Sequence, residues 1–406
     1  MNILVVNSGS SSLKLTVFET YAFGLKRMLE AQWKGINGRT PKLSVNAGGK
    51  NYEKEFADTE ISVVDGLKGI FEAAEKECGY RAASIDAIGH RFVHGGSLYT
   101  KSVLINSQVL QELENLDHLA PLHNPACFAG IEGCMEFFGR KIPQVAVFDT
   151  AFHSHMPQVA SLYAIPLPLT EKYSIRRYGF HGISHQFLWN TYFKNICSKQ
   201  LVEGKKEARI ITAHLGNGCS ITAIQDGCSL DTSMGFTPAE GLVMATRAGD
   251  IDAAVVDFLC QQEKKTVDEV LELLNFQSGL QGVSQFSSNM QELLCVYDTN
   301  EKARFAVQLF CYRIVKYIGA YMAILGGTDA IIFSGGIGEN SPEIRQEVIQ
   351  RFSWYGVKID QQANQAAVKM KPAHFQKISS EDSSIAIYVI ATDENSAIAE
   401  ETRSFL

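Results

Sequence analysis

The sequence predicts an α/β protein made of two related halves, and three observations predict it. Segments that read as strands are interleaved with segments whose apolar residues recur at helical spacing. One construction, an apolar run leading into a tip of Gly, Ser and Asn and then into a second strand-like run, stands at the beginning of the chain and again near its middle. The length, 406 residues, calls for two or three domains, or two large ones, at roughly 150 residues per domain.

The first hairpin is read from the apolar run Ile3–Val6, the alternating Leu13, Leu15 and Val17, and the polar turn Asn7-Ser8-Gly9-Ser10-Ser11-Ser12 between them. Leu67, Ile70, Phe71 and Ala74 then mark a helix face. Ala87–His90 reads as a strand followed by Arg91, and Val145–Phe148 as a strand ended by Asp149. In the middle, Ile210–His214 leads through Leu215-Gly216-Asn217-Gly218-Cys219-Ser220 into Ile221–Ile224, the second hairpin. Ala303, Val307, Phe310, Ile314, Tyr317 and Tyr321 mark a long helix. After the strand Ala330–Phe333 comes a third Gly-rich turn, Ser334–Asn340, and then Ser341-Pro342-Glu343, a helix start with Ser as N-cap and Pro at the first helical position. The last strand is placed at Ser384–Ala391 and the last helix from about Glu394 to Arg403. The repeated hairpin implies an internal duplication, with function expected in a cleft between the halves.

Composition narrows the function. With 46% apolar and 20% charged residues the chain matches folded globular averages. A net charge of −7 gives no global positive field to neutralise a phosphate backbone, so nucleic acid is excluded as a partner. The longest uncharged apolar stretch, Tyr317–Thr328, is shorter than the roughly 20 residues that span a bilayer, so no membrane segment is expected. Ile3–Val6 has no basic residues before it and no cleavage-type sequence after it, so no secretory leader is expected. Nine cysteines, scattered and without a CxxC pair, fit reduced thiols in a cytoplasm.

Gly-rich turns beside strands suit anions, because glycine lets backbone N–H groups approach phosphate oxygens. Any one such turn also fits a hairpin that uses Gly and Asn for positive φ; three together suggest a polyphosphate. Neither GxxxxGK[ST] nor GxGxxG occurs, so the binding is of another kind. Phosphoryl transfer needs cations, donors and a carboxylate for a metal. Arg91, and Arg247 in the loop Met244–Asp250 with few apolar neighbours to bury it, are candidates to clamp oxyanions. Asp149 and Glu394, at strand ends, are candidate metal or base groups. Each of these also fits a surface ion pair. His181 and His185 are four apart without the HExxH glutamate, and neither His153/His155 nor His118/His123 has the company of a zinc site, so most of the ten histidines are expected to be structural.

At these residues the sequence resembles the acetate kinase family. Asn7-Ser8-Gly9-Ser10-Ser11-Ser12-Leu13-Lys14 is similar to the family's N-terminal signature and His214–Ser220 to its second. The similarity runs along essentially the whole chain, through Gly89-His90-Arg91, His118–Pro125, Phe148-Asp149-Thr150, Phe180-His181-Gly182, Gly335–Asn340 and Thr392-Asp393-Glu394.

The resemblance implies two duplicated RNase H-like domains, the actin-like ATPase fold shared with sugar kinases and the seventy-kilodalton chaperones. A first domain would span 1–150, completed by a C-terminal helix at 392–406, and a second, nucleotide-binding and dimer-forming, 151–391. The implied reaction is reversible transfer from ATP to acetate, giving acetyl phosphate and ADP, by direct in-line transfer with Mg²⁺ or Mn²⁺. Asn7 and Glu394, with Asp149, would organise metal and nucleophile. Arg91 and Arg247 would hold the carboxylate and the equatorial oxygens, and His181 and Asn217 would donate hydrogen bonds to the transferring group. Val93, Leu122, Phe180 and Pro238 would contact the acetate methyl. Ser10, Ser12 and Lys14, then His214, Gly216, Asn217 and Gly218, would face the phosphates; Gly336, Ile337, Gly338 and Asn340, with Asn289 and Gln291, would line the nucleoside. A homodimer and a cytoplasmic location are implied as well.

A propionate or butyrate kinase of the same architecture remains an alternative. A nucleotide-gated binding protein has no need of the carboxylate clamp.

The sequence departs from the family pattern at Ala245, Ala253 and Asn395, and has Asn289 and Gln291 where Asp and Arg are usual. Neutral amides contribute less than charged groups to a nucleoside contact. The double substitution Asn289→Asp with Gln291→Arg is therefore expected to lower KM for ATP by about five- to thirty-fold and to sharpen discrimination against GTP. An unchanged KM and an unchanged ATP/GTP ratio would show that these positions do not read the nucleoside.

Overall fold

The computed structural model describes residues 1–22, 24–36, 40–57, 61–81, 84–121, 123–198 and 207–406. They form two compact units, Met1–Ala151 with Glu394–Leu406, and Phe152–Asp393.

In the first unit the described strands are β1 (Asn2–Gly9), β2 (Ser12–Tyr21), β3 (Gly24–Lys34), β4 (Lys42–Ala47), β5 (Lys50–Glu55), β6 (Ala87–Phe92), β7 (Val103–Leu104) and β8 (Gln144–Phe148). They join in one sheet in the order β5-β4-β3-β2-β1-β6-β8-β7. β5 to β1 are antiparallel neighbours, whereas β6 is parallel to β1 and β8 parallel to β6. The second unit has β9 (Arg209–Leu215), β10 (Cys219–Gln225), β11 (Cys228–Thr232), β12 (Ala330–Ser334), β13 (Phe375–Lys377) and β14 (Ala386–Ile390), in the order β11-β10-β9-β12-β14-β13. There β12 is parallel to β9 and β14 parallel to β12. The five-strand cores β3-β2-β1-β6-β8 and β11-β10-β9-β12-β14 have the same order and directions. The duplication read from the repeated hairpin is thus a duplication of topology.

Burial follows the sequence pattern. In β2, Leu13, Leu15 and Val17 are buried, and so are the facing Leu29, Ala31 and Trp33 of β3. The helix Val63–Lys76 covers that face with Leu67, Ile70, Ala73 and Ala74, its N-cap Ser62 Oγ accepting from the Asp65 N–H at 3.1 Å. Phe71 is half-buried at the edge and stacks on Phe137. The long helix is Glu301–Ile324, burying Ala303, Val307, Phe310, Ile314 and Tyr321; Tyr317 is half-buried and donates to Asp250. The last helix is Glu394–Arg403, as read.

Three expectations are corrected. The polar run after Val6 is mostly strand: Gly9 pairs with Ser12, so the turn is Ser10–Ser11 alone, and Asn7 lies in register with Lys14. Arg91 lies inside β6 rather than after it, because pairing with β8 extends to Phe92 opposite Phe148. The third Gly-rich segment is a helix, Gly335–Asn340, not a turn. Gly335, at φ 76°, turns the strand into it, and Glu339 Oε1 accepts from the Gly335 N–H at 2.9 Å, closing the first turn from within. Ser341 stands at the N-cap of the helix Pro342–Ile349 but makes no side-chain capping bond.

The C-terminal helix is seated on β6 at Gly89, where a Cβ would meet Thr402 Oγ1 at 2.2 Å and Ile398 Cγ2 at 2.8 Å. Gly89→Ala should therefore overpack this contact and destabilise the first unit by about 1–3 kcal/mol, read as a lower denaturation midpoint. A wild-type midpoint would show that the helix does not press on the strand.

Candidate active site

In the first unit the strand ends gather one group of predicted residues. β6 and β8 run side by side, and the Asp149 N–H continues the ladder by donating to Phe92 O at 3.0 Å. This places the Asp149 carboxylate beside Arg91. Arg91 Nε donates to both carboxylate oxygens at 3.2 and 3.1 Å, and Nη2 to Oδ2 at 2.5 Å. Its Nη1 donates to Asn7 Oδ1 at 3.4 Å from the neighbouring β1. The Asp149 side chain is 2% exposed and that of Arg91 22%. Burial works against the guanidinium charge, but Asp149 and then Glu394 outweigh it, so Arg91 is held above its usual range. Lys14, across the hairpin from Asn7, is held below the usual lysine range by loss of water around its ammonium and by Arg91, with Glu394 opposing. Asn7, Lys14, Arg91, Asp149 and Glu394 therefore share one electrostatic neighbourhood. Ser10 and Ser12 lie at the tip of the same hairpin. Val93 is buried just past β6. The next residue, His94, is fixed by the buried Asn124, whose Oδ1 accepts from the His94 N–H at 3.1 Å and whose Nδ2 donates to His94 O at 3.2 Å. Leu122 lies outside the described residues.

In the second unit the β9–β10 hairpin organises the rest. His181 stands at the N-cap of the helix Gly182–Tyr192 in a left-handed conformation, φ 55°. Its Nδ1 is 2.9 Å from Ser220 Oγ, and its ring lies 4.5 Å from that of His214. A Cβ built on Gly218 would be 3.3 Å from His181 Cε1 and Nε2 and 3.7 Å from Arg247 Nη1. The hairpin tip thus brings backbone, imidazole and guanidinium to one place. The Asn217 carbonyl accepts from the Ala245 N–H at 3.0 Å, tying the Arg247 loop to the tip, and Arg247 Nη1 donates to Pro238 O at 3.3 Å.

Arg247 itself is half-buried, while Leu242, Val243, Met244 and Ala245 before it are buried. The loop folds inward over Gly279, which at φ 59° would put a Cβ 2.3 Å from Met244 O. Phe180 is buried, its carbonyl 3.1 Å from His153 Nε2. The helix carrying Gly336, Ile337, Gly338 and Asn340 abuts the same hairpin, Gly335 and Gly338 lying against Leu215. Asn289 caps the helix Met290–Cys295, accepting from the Gln291 N–H at 2.8 Å. No hydrogen bond among the described residues ties Asn289 or Gln291 to the hairpin.

Several supporting residues were not singled out from sequence. Arg177 Nη2 donates to Glu240 at 2.6 Å and its Nη1 to Thr232, Ser233 and Met234 carbonyls, bracing the segment that leads to Pro238. Tyr163 OH bonds Glu240 and accepts from the Phe236 N–H. The fully buried Arg345 donates to Gly338 O at 2.8 Å and to Asn364; burial lowers its pKa to about 10. Ser220 and Thr212 are buried polar side chains. Their signal was the polar residue at an inward strand position, which costs free energy unless it is bonded.

Among the described residues no cluster of three or more His, Cys, Asp or Glu side chains could hold a metal unaided. Asn7, Asp149 and Glu394 offer hard oxygen donors only. Such a set fits Mg²⁺ or Mn²⁺, which bind through one or two carboxylates and complete their shell with water and substrate phosphate. No described helix is long and apolar enough to cross a membrane.

A family model described as the Acetokinase family matches residues 2–400. An acetate kinase of Brachyspira hyodysenteriae is 43% identical over 405 residues, covering 99% of each chain. The crystal structure of Porphyromonas gingivalis acetate kinase superposes with a TM-score of 0.86 at 36% identity, and that of a propionate kinase from Francisella tularensis with 0.88 at 38%, each covering 99% of both chains. The two duplicated sheets are the actin-like ATPase fold of these kinases. On the whole-chain match and on this likeness, the chain belongs to the acetokinase family.

Proposed function

We propose that the chain is an acetate kinase, transferring the γ-phosphoryl group of ATP to acetate, reversibly and by direct in-line attack, to give acetyl phosphate and ADP. The observation that carries this reading is the meeting of His181, Arg247 and the Gly218 backbone at one hairpin tip. It offers donors and positive charge with no side chain in the way, the requirement of a transferring phosphoryl group.

Acetate is ionised at neutral pH, as carboxylic acids of ordinary pKa are, so the nucleophile needs no general base. Arg91, oriented by Asp149 and Asn7, holds the carboxylate or the phosphoryl oxygens. Arg247 and the Asn217 side chain bind the equatorial oxygens, and His181 donates through Nε2. Lys14, Ser10, Ser12, His214, Gly216 and Gly218 face the phosphates. The helix with Gly336, Ile337, Gly338 and Asn340 serves the nucleoside. Phe180 and Pro238 of the second unit supply apolar surface for the methyl group. Asn7, Asp149 and Glu394 would hold Mg²⁺ or Mn²⁺, which when bound neutralises charge on the phosphates.

We assign residues 1–150 with 392–406 to one actin-like domain and 151–391 to a nucleotide-binding, dimer-forming one. The helix Ala253–Glu263 buries none of its residues and exposes Phe258, while Phe305 and Tyr312, one heptad apart, are exposed on Glu301–Ile324. These apolar faces support an isologous homodimer. The nine free thiols support a cytoplasmic location.

Similarity to a propionate kinase favours a second substrate, since one methylene in an apolar pocket is worth only about 1–3 kcal/mol. Trapping acyl phosphate with hydroxylamine, using ATP and Mg²⁺ with acetate, propionate and butyrate in parallel, should show acetate as best substrate with leakage onto propionate. No acyl phosphate from acetate would overturn the assignment, and a clear preference for propionate would replace it. Arg91→Ala and Arg247→Ala should each lower turnover by roughly 10³-fold. Arg91→Ala should also lose about 3–5 kcal/mol of stability, because the buried Asp149 carboxylate is left without its guanidinium partner. Near-wild-type turnover in either variant would remove that arginine from the mechanism.

A further inference from the structure

The structure uses both rings of the His181/His185 pair, four apart in sequence. Helix Gly182–Tyr192 lies beside the β9–β10 hairpin, whose register pairs Ser220 with His214 and Thr222 with Thr212. Thr212 and Ser220 therefore share one face of the hairpin. His185 lies between them, Nδ1 2.7 Å from Thr212 Oγ1 and Nε2 2.8 Å from Ser220 Oγ. Ser220 Oγ is in turn 2.9 Å from His181 Nδ1. Thr212, His185 and Ser220 are fully buried.

Counting protons gives this chain a direction. A hydroxyl has one proton, and a neutral imidazole has one donor and one acceptor nitrogen. Burial, with His153 and His214 nearby, pushes His185 well below the usual histidine range, so it is neutral. Among the described residues the Thr212 hydroxyl has one hydrogen-bond partner, His185 Nδ1. If His185 donated there, a buried hydroxyl proton would have no acceptor, the costlier failure. Thr212 therefore donates to His185 Nδ1, and His185 Nε2–H donates to Ser220. Ser220 donates its one proton to His181 Nδ1, which leaves the His181 proton on Nε2, the atom beside Gly218 and Arg247.

We propose that Thr212, His185 and Ser220 form a directional relay that fixes His181 as a neutral Nε2–H donor. They are positioning residues, and the proposal rests on the assignment of His181 to the transferring phosphoryl group. To become an imidazolium, His181 would have to take a proton on Nδ1 against the Ser220 hydroxyl, so the relay also keeps it from acting as a proton shuttle.

The test is long-range ¹⁵N–¹H NMR of the full-length protein with labelled histidine, with His181→Asn identifying the His181 signals. At neutral pH the wild type should show a pyrrole-like Nε2 and a pyridine-like Nδ1. Thr212→Val, close in volume, and Ser220→Ala should each release the tautomer to a mixture that titrates. Turnover should fall by about tenfold, as when a group orienting a functional imidazole is removed, with KM for acetate and ATP near wild type. Thr212→Ser, which keeps the hydroxyl, should restore both readouts. A proton on Nδ1 or on both nitrogens in the wild type, or an unchanged tautomer in Thr212→Val, would overturn the relay. The wild-type spectrum decides even where a variant fails to fold. Lack of acyl phosphate formation by the wild type would overturn the reaction instead, since the NMR signals do not depend on turnover.

Discussion

The ion pair between Arg91 and Asp149 is the constraint around which the first unit is arranged. Taking a guanidinium and a carboxylate out of water costs several kcal/mol per ion, and the pair recovers that only with good geometry and further hydrogen bonds. Three N–H contacts from Arg91 to Asp149 and a fourth to Asn7 meet that demand. They require β1, β6 and β8 to be adjacent and in register, so the sheet order is what allows the pair to exist. The C-terminal helix brings Glu394 into the same field after closing on Gly89. Glu394 thus shares the electrostatic neighbourhood of Lys14 on the first hairpin.

The second unit is organised differently: His181 and Arg247 converge on the Gly218 tip, while the ion pair of Arg177 with Glu240 braces the segment that leads to Pro238. The Gly218 tip must stay free of side chains, and the groups around it must be held from behind. The imidazoles lean on hydroxyls of β9 and β10, the Arg247 loop is pinned at Asn217 and Gly279, and the Pro238 segment is braced by Arg177, Glu240 and Tyr163. Preorganisation of this kind costs no rearrangement at the moment of transfer.

How much of this was legible depended on the range of the forces involved. Both hairpins, the faces of the two long helices and the end of the strand before Asp149 follow from periodicity, which is a local property, and they were read directly. The segment Gly335–Asn340 was read as a turn because glycines weaken helices. It is helical because Glu339 caps it from within and Arg345 holds Gly338 from outside, and the second of these contacts is set by packing. The burial of Met244 and Ala245 beside Arg247 was not legible for the same reason: the chain that covers them arrives from Gly279 and beyond. The roles proposed for Asp149, His181 and Glu394 came from the motifs in which they stand, while the hydroxyls of Thr212 and Ser220 passed as ordinary strand residues. Only the three-dimensional pairing of strand and helix shows what they hold.

The central claim is that the protein positions and neutralises charge while the phosphoryl group passes directly from ATP to the carboxylate, with no side chain taking it on the way. Stereochemistry at phosphorus tests this most directly. ATP made chiral at the γ-phosphorus with oxygen isotopes is turned over with acetate, and the configuration of the acetyl phosphate is determined. A single in-line transfer predicts inversion. Retention would require a covalent phosphoenzyme and would contradict the account.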